Sequence, residues 1–360
     1  MASVSIAMAT FNGSRFILEQ LKSLANQTHL PDEVVISDDC STDGTVQLVE
    51  EFSKQAPFKV RIVRNETNKG YRDNFMQAAG RCSSPIVAFC DQDDIWHSDK
   101  ISETLKCFDD PSVMLVHHNA NLIDVNGRYL RLALENRMLK EKLAPRFFAM
   151  GFTEVFRREL LAFSSLRDQS IDHQEPTEKM AHDKWIFFLA ASFGKIVYLQ
   201  QPLVDYRQHA NNTYGFKPDG FLTRILKKIN HSVGTFPVVA LFAERSAKIL
   251  SYASRDFSDD DIMRNRLQQR SERFERLEQW YRDRFMAYDA KNILTRAAAW
   301  KRLLHSGAYK PSDPWSFGVT NLLADATFGV ILGSFFRRLQ RPEPTGSVKP
   351  TGSVNCPQIK

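Results

Sequence analysis

Pro85-Ile86-Val87-Ala88-Phe89-Cys90-Asp91-Gln92-Asp93-Asp94, residues 85–94, is a short apolar run that ends in three carboxylates within four positions. A run of this length and character reads as a buried strand, and its polar end as the point where the chain leaves the sheet. Two earlier runs end in the same way. Residues 4–9 lead into Thr10-Phe11-Asn12-Gly13, and residues 33–37 lead into Asp38-Asp39-Cys40-Ser41-Thr42-Asp43-Gly44. Stretches with helical spacing lie between them: residues 14–26, with Phe16, Ile17, Leu21 and Leu24 on one side, then 41–52 and 70–79, with a further strand at 59–63. This alternation predicts an α/β fold on a mostly parallel sheet, with polar clusters gathered at one edge, where such sheets bind ligands.

The chain has 360 residues, 43% hydrophobic and 25% charged, which is enough apolar material for one large or two ordinary cores. Wholesale disorder, a collagen-like fibre and a multi-span membrane protein are excluded. The odd set of cysteines, Cys40, Cys82, Cys90, Cys107 and Cys356, has no CxxC spacing, which argues against a disulfide framework or a structural zinc site. With no signal peptide legible at the N-terminus, the expected compartment is the cytoplasm. The net charge of +6 is uneven: residues 1–220 carry 25 Lys and Arg against 29 Asp and Glu, whereas residues 221–341 carry 21 against 12. A basic second part favours an anionic partner such as lipid head groups or phosphates, and nucleic acid fits less well.

Beyond residue 97 a helix is expected at 98–108, a strand at 113–117, a helix at 183–193 and a strand at 196–199, with 124–180 irregular. A break at Pro218-Asp219-Gly220 precedes a helical region that includes 240–253 and a long segment capped by Ser258, with Asp261 three residues on. Residues 315–336 are apolar for 22 positions, but Asn321 and Asp325 near the middle argue against a membrane span and leave a core helix or an interfacial helix. The tail repeats Pro-Thr-Gly-Ser-Val and is expected to be disordered. The expected units are 1–217, divided into a nucleotide-binding half at 1–97 and an acceptor-binding half at 98–217, then a basic helical extension at 218–341 and the tail at 342–360.

Asp91, Asp93 and Asp94 repel one another unless something compensates them. A divalent cation with hard oxygen ligands does so, while a solvated acidic turn ahead of a helix is the plainer reading. Asp183 opens an apolar helix, where a carboxylate also interacts favourably with the helix dipole. Neither a GxGxxG after the first strand nor a phosphate loop is present, so neither a dinucleotide fold nor a P-loop is supported.

The segments Ser5 to Gly13, Ser23 to Thr28, Ser37 to Thr45, Asn68-Lys69-Gly70 with Asn74, and Asp91 to Trp96 together resemble the family 2 glycosyltransferases of the GT-A fold. His182-Asp183-Lys184-Trp185 and Tyr206-Arg207-Gln208-His209 with Asn211-Asn212 resemble the branch of bacterial rhamnosyltransferases that builds surface polysaccharide such as O-antigen. The resemblance spans roughly residues 1–215, with the motifs in order.

The resemblance implies an inverting transferase that uses Mg²⁺ or Mn²⁺ and a nucleotide-diphospho-sugar donor, with dTDP-rhamnose the first guess. The acceptor would be a glycan; that it is lipid-linked, on the inner face of the plasma membrane, is expected from the basic extension and the 315–336 segment. Thr10, Asn12, Asp38, Asp39, Gly70, Arg72, Asn74 and Asp91 would bind the nucleotide. Asp91 and Asp93, with His209, would hold the metal, and Arg207 and His209 would meet the diphosphate. Asp183 would be the base, ionised at its ordinary pKa. His182 would orient it, Trp185 would stack on a sugar, and Asp94 and Trp96 would have uncertain roles at the site. Departures from the family pattern are Cys40 where glycine is frequent, Phe11 where tyrosine is frequent, and Lys184 where a second tryptophan is common, beside the implied base and so placed to meet the acceptor. A metal-dependent phosphohydrolase and a non-catalytic nucleotide-sugar-binding scaffold remain as other readings.

Overall fold

The computed structural model describes residues 2–133, 149–209, 221–257 and 260–333, with the side chains of 221–233 omitted. The break at 218–220, Asn211-Asn212, Ser258 and the tail lie outside the described residues. The first seven elements match the alternation read from sequence: β1 (Val4–Thr10), α1 (Ile17–Ala25), β2 (Glu33–Asp38), α2 (Thr45–Ser53), β3 (Lys59–Arg64), α3 (Tyr71–Gly80) and β4 (Ile86–Cys90). They form a parallel half-sheet in the order β3-β2-β1-β4. The strand order reverses direction at β1, so the ends of β1, β2 and β4 border one crevice.

The other half of the sheet is mixed rather than parallel. After β5 (Ile95–Trp96) and α4 (Lys100–Lys106) come β6 (Val113–Ile123), β7 (Tyr129–Arg131), β8 (Val155–Arg157), α5 (His182–Phe193) and β9 (Lys195–Arg207). The order continues β4-β8-β6-β9-β5, with β8 antiparallel to both β4 and β6 and β9 parallel to β6. Strand β8 lies in the stretch expected to be irregular, and at three residues it is too short to show periodicity. Strands β6 and β9 outrun their expected ends because the register shifts where Pro202 pairs with Asn119, so a residue without a ladder N–H does not stop the pairing.

Alternation along the buried strands divides the core in two. Val4, Ile6 and Met8 join Ile17, Leu21, Leu24, Ile101 and Leu105 on one face, while Ala7, Val35, Val87 and Phe89 join Phe75, Trp185 and Phe188 on the other. The second cluster runs on without interruption into α6 (Phe221–Ala253), α7 (Asp261–Asp289) and α8 (Ile293–His305) through Phe242, Leu250, Phe274 and Leu277. Leu267, Phe274, Leu277, Tyr281 and Tyr288 therefore form a packed face of α7. Its N-cap is Asp260, whose side chain accepts from Met263 N, and the helix starts at Asp261.

The apolar segment from Trp315 folds as α9 (Val319–Ala324), continued by wide turns over Asp325–Ile331. Asp325 is fully buried, and its carboxylate accepts from Arg284, from Tyr288 Oη at 2.8 Å and from Tyr309 Oη at 2.8 Å. An acid that would be costly in lipid is thus satisfied by protein. No helix among the described residues is long and apolar enough to cross a membrane.

Replacing Asp325 with alanine leaves Arg284 and two tyrosine hydroxyls without their acceptor, and is expected to cost about 3 to 5 kcal/mol in denaturant unfolding. A loss below about 1 kcal/mol would show that solvent takes over these groups.

Candidate active site

The ends of β1 and β2 are locked to each other before any ligand is considered. Asp38 is buried and accepts from Thr10 Oγ1 at 2.9 Å and Ser41 N at 2.9 Å. Asp39 accepts from Asn65 Nδ2, Lys69 N and Gly70 N at 2.9, 2.7 and 2.8 Å, which folds the 65–70 loop onto the crevice. Asn74 donates to the carbonyls of Ser37 and Thr10 and accepts from Asn65. Gly70 (φ +75°) opens α3 in a conformation that favours glycine, and Cys40 adopts φ +65°, which accounts for glycine being frequent at its place. Asn12, also left-handed at φ +48°, accepts from Thr42 N at 2.9 Å and remains exposed beside Phe11.

Beyond β4, Asp91, Asp93 and Asp94 bring one carboxylate oxygen each within 4.8 Å of the others. His209 Nε2 lies 2.8 Å from Asp93 Oδ2. Asp94 is fully buried; its Oδ1 accepts from Arg207 N at 3.0 Å, while Oδ2 is buried with no hydrogen-bond partner. Burial, then the neighbouring Asp93, pushes both Asp91 and Asp94 above the ordinary carboxylate range. Hard oxygen donors, mutual repulsion and an orphaned oxygen fit a divalent cation, which would be held by Asp91 and Asp93 with Asp94 or His209 beside them.

Arg207 does not present its guanidinium to the crevice as expected. It is 2% exposed, donates to the Asp93 carbonyl at 2.9 Å, pairs with Glu19 at 2.6 Å and lies over the Phe16 ring. It braces the acidic turn from behind. Arg72 is likewise occupied, by Asp172 at 2.9 Å, Glu175 at 2.8 Å and the Lys179 carbonyl. Trp96 is buried beneath Lys100, whose Nζ sits 3.3 Å above the ring and donates to the Phe152 carbonyl. Burial lowers the Lys100 pKa to about 7 despite the nearby acids.

Asp183, in the first turn of α5, accepts from Lys184 N at 2.7 Å. Burial raises its pKa, so the expectation of an untuned carboxylate does not hold. Its charge is felt by Asp91, which sets the base candidate near the acidic cluster. His182 stacks on Phe75 at 4.0 Å, and neither ring nitrogen bonds the protein, so it packs rather than orients Asp183. Trp185 is fully buried in the core and unable to stack on a sugar. Lys184 is held by both oxygens of Asp172, not free for an acceptor.

Sequence reasoning missed Gly151 and Glu154. A Cβ on Gly151 would lie 2.6 Å from His182 Nε2 and 3.3 Å from Asp183 Cβ, so only glycine lets this turn approach α5. Glu154 is fully buried, its backbone carbonyl accepts from Phe89 N, and both carboxylate oxygens lack partners. The one signal for it was a lone acid in the run Phe152-Thr153-Glu154-Val155-Phe156.

Residues 5–163 match the family model described as Glycosyl transferase family 2. The dTDP-rhamnosyl transferase RfbG of Shigella flexneri is 31% identical over 222 residues, 58% of this chain and 73% of that protein. An uncharacterized glycosyltransferase of Nostoc sp. is 28% identical over 221 residues, 59% of this chain and 66% of that protein, so the chain spans slightly less than two thirds of it. Among solved structures, S. aureus TarS 1-349 in complex with UDP-GlcNAc superposes with a TM-score of 0.50 at 19% identity, covering 86% of this chain and 93% of that one. That likeness is one of fold, the GT-A arrangement with a helical region after it.

Burial, then the nearby Asp183, holds the Glu154 pKa well above its ordinary value. The unfolded chain releases this proton near the usual pKa of about 4.3 while the folded chain keeps it, so the group costs stability increasingly as pH rises above that value. Glu154→Met should therefore match the wild type near pH 4 and melt higher at pH 8. A variant less stable at pH 8 would show that the ionised carboxylate is held by a partner.

Proposed function

Since the chain belongs to glycosyl transferase family 2, we propose that it transfers a sugar, rhamnose in the first instance, from a nucleotide-diphosphate donor to a hydroxyl of a glycan acceptor, with inversion at the anomeric carbon. The observation that carries this reading is the acidic cluster at the end of β4 with Asp183 close enough for the two to repel. Rhamnose is favoured by the likeness to the Shigella protein and by the His182-Asp183 and Tyr206-Arg207-Gln208-His209 segments.

The loops fixed by Asp38, Asp39 and Asn74 form the seat of the nucleotide, with Asn12 and the Gly70 backbone at its rim. When bound, Mg²⁺ or Mn²⁺ at Asp91 and Asp93 stabilises the charge that grows on the departing diphosphate. Asp183 takes the proton of the acceptor hydroxyl as its oxygen bonds to the anomeric carbon and the bond from that carbon to the diphosphate breaks. A base with a raised pKa pulls harder on that proton, at the cost of being protonated in mild acid. Among the described residues no second cluster of metal-ligating side chains accompanies the acidic one, which disfavours a two-metal phosphohydrolase. The basic extension and the exposed Val319, Leu323, Phe328 and Ile331 support peripheral contact with an anionic membrane, where a lipid-linked acceptor in polysaccharide synthesis would reside.

With Mn²⁺, dTDP-rhamnose should raise the melting temperature by several degrees, and EDTA should abolish the shift. Asp183→Asn should keep that shift and lose about 10² to 10⁴ in turnover. The wild-type rate should fall with acid above the ordinary carboxylate range, because only ionised Asp183 accepts a proton. Full turnover by Asp183→Asn would remove it as the base, and no shift with any nucleotide sugar would overturn the donor class.

A further inference from the structure

Helix α7 carries arginines at 266, 270, 273 and 276, three or four apart and so on one face. With Lys310 from the turn after α8 they line a cleft of about 840 Å³, in which Asp313 is the one acidic lining residue. Asp313 is taken up by Arg273 at 2.8 Å and by Trp315 N at 2.9 Å. The guanidinium groups of Arg270 and Arg273 both lie over the Trp315 ring, at 4.9 and 4.4 Å from its centroid. Stacking of this kind fixes a guanidinium plane and leaves its edge N–H groups to fork onto an oxyanion.

Arg270 is the telling member. Its Nε is buried without an acceptor, and burial together with Arg273 lowers its pKa to about 10. A like-charged pair brought together in a partly desolvated cleft is costly unless an anion completes it. None of the residues lining the cleft belongs to the acidic cluster or to the loops after β1 and β2. Arg266 donates at 2.6 Å to the carbonyl of Phe193, the last residue of α5, whose first turn carries Asp183, and the two residues stand about 15 Å apart along the helix axis.

We propose that this cleft is a binding site for a phosphate or diphosphate group, separate from the donor site. Its four arginines and one lysine outnumber the acid, and its volume exceeds the needs of a lone phosphate. In a sugar transferase the phosphate-bearing substrate other than the donor is the carrier of the acceptor. The cleft then holds the carrier's diphosphate. That assignment of the carrier rests on the function proposed above, whereas the anion site does not.

The test is calorimetric titration of the full chain with inorganic pyrophosphate in EDTA, which silences any metal-bridged diphosphate site. Saturable binding is expected, weakening as salt rises. Loss of about tenfold or more in affinity is expected in Arg270→Gln with Arg273→Gln, each removing a charge-assisted bond. Should that pair fail to fold, Arg276→Glu on the exposed rim should weaken binding in the same direction. Phosphatidylcholine vesicles with and without a polyprenyl diphosphate distinguish the sources: retention of the protein only by the vesicles that carry the diphosphate, competed by pyrophosphate, identifies a lipid carrier. Binding to pyrophosphate but not to those vesicles assigns the cleft to a soluble phosphate ligand and overturns the carrier assignment. Absence of saturable pyrophosphate binding, or unchanged affinity in the charge variants, overturns the site. Donor binding with Mn²⁺ reads the other site independently, so the two failures are distinguishable.

Discussion

Three carboxylates forced into one corner at the end of β4 repel one another, and the surrounding architecture is arranged to tolerate that repulsion. The end of β9 reaches the corner, where the backbone of Arg207 donates to Asp94 and its side chain to the Asp93 carbonyl. Glu19 on α1 neutralises the arginine, and His209 closes on Asp93. A helix, a strand end and an acidic turn are therefore pinned together by a group whose own chemistry is spent on the pinning. The Arg207 guanidinium is spent on Glu19 and on the Asp93 carbonyl, which leaves the mutual repulsion of the acids for a cation to relieve.

The first half of this design was legible in the sequence because it is local. A buried strand shows itself as an apolar run and its active end as an abrupt polar cluster, so β1, β2 and β4 and their carboxylates could be named in advance. The inferred neighbourhood of Asp93 and His209 also agrees with their contact. What could not be read is pairing across the chain. Arg72 meets Asp172 a hundred positions on, and Arg207 meets Glu19 across 188, so the arginines expected at the nucleotide and at the diphosphate are engaged by the protein itself. Strand β8 was too short for periodicity, and with it Glu154 went unseen.

The helical extension shows a different limit. An apolar segment interrupted by Asp325 has one sequence signature and several physical outcomes. Three donors from α7 and the turn after α8 decided the matter by giving the acid a protein environment in place of water. One side of that segment packs through Trp315 and Asp325, while Leu323 and Ile331 are largely exposed.

The apolar cluster that runs from the sheet through α5 into α6, α7 and α8 has a thermodynamic consequence. The catalytic sheet and the basic helices share one apolar core, so the stability of each half includes contacts made with the other. Cutting the chain at the compositional break would bare Phe188 and Phe193 on one fragment and Phe242 and Phe274 on the other. Occupancy of a site on the helices adds to the stability of the folded state that carries this shared core, through mass action.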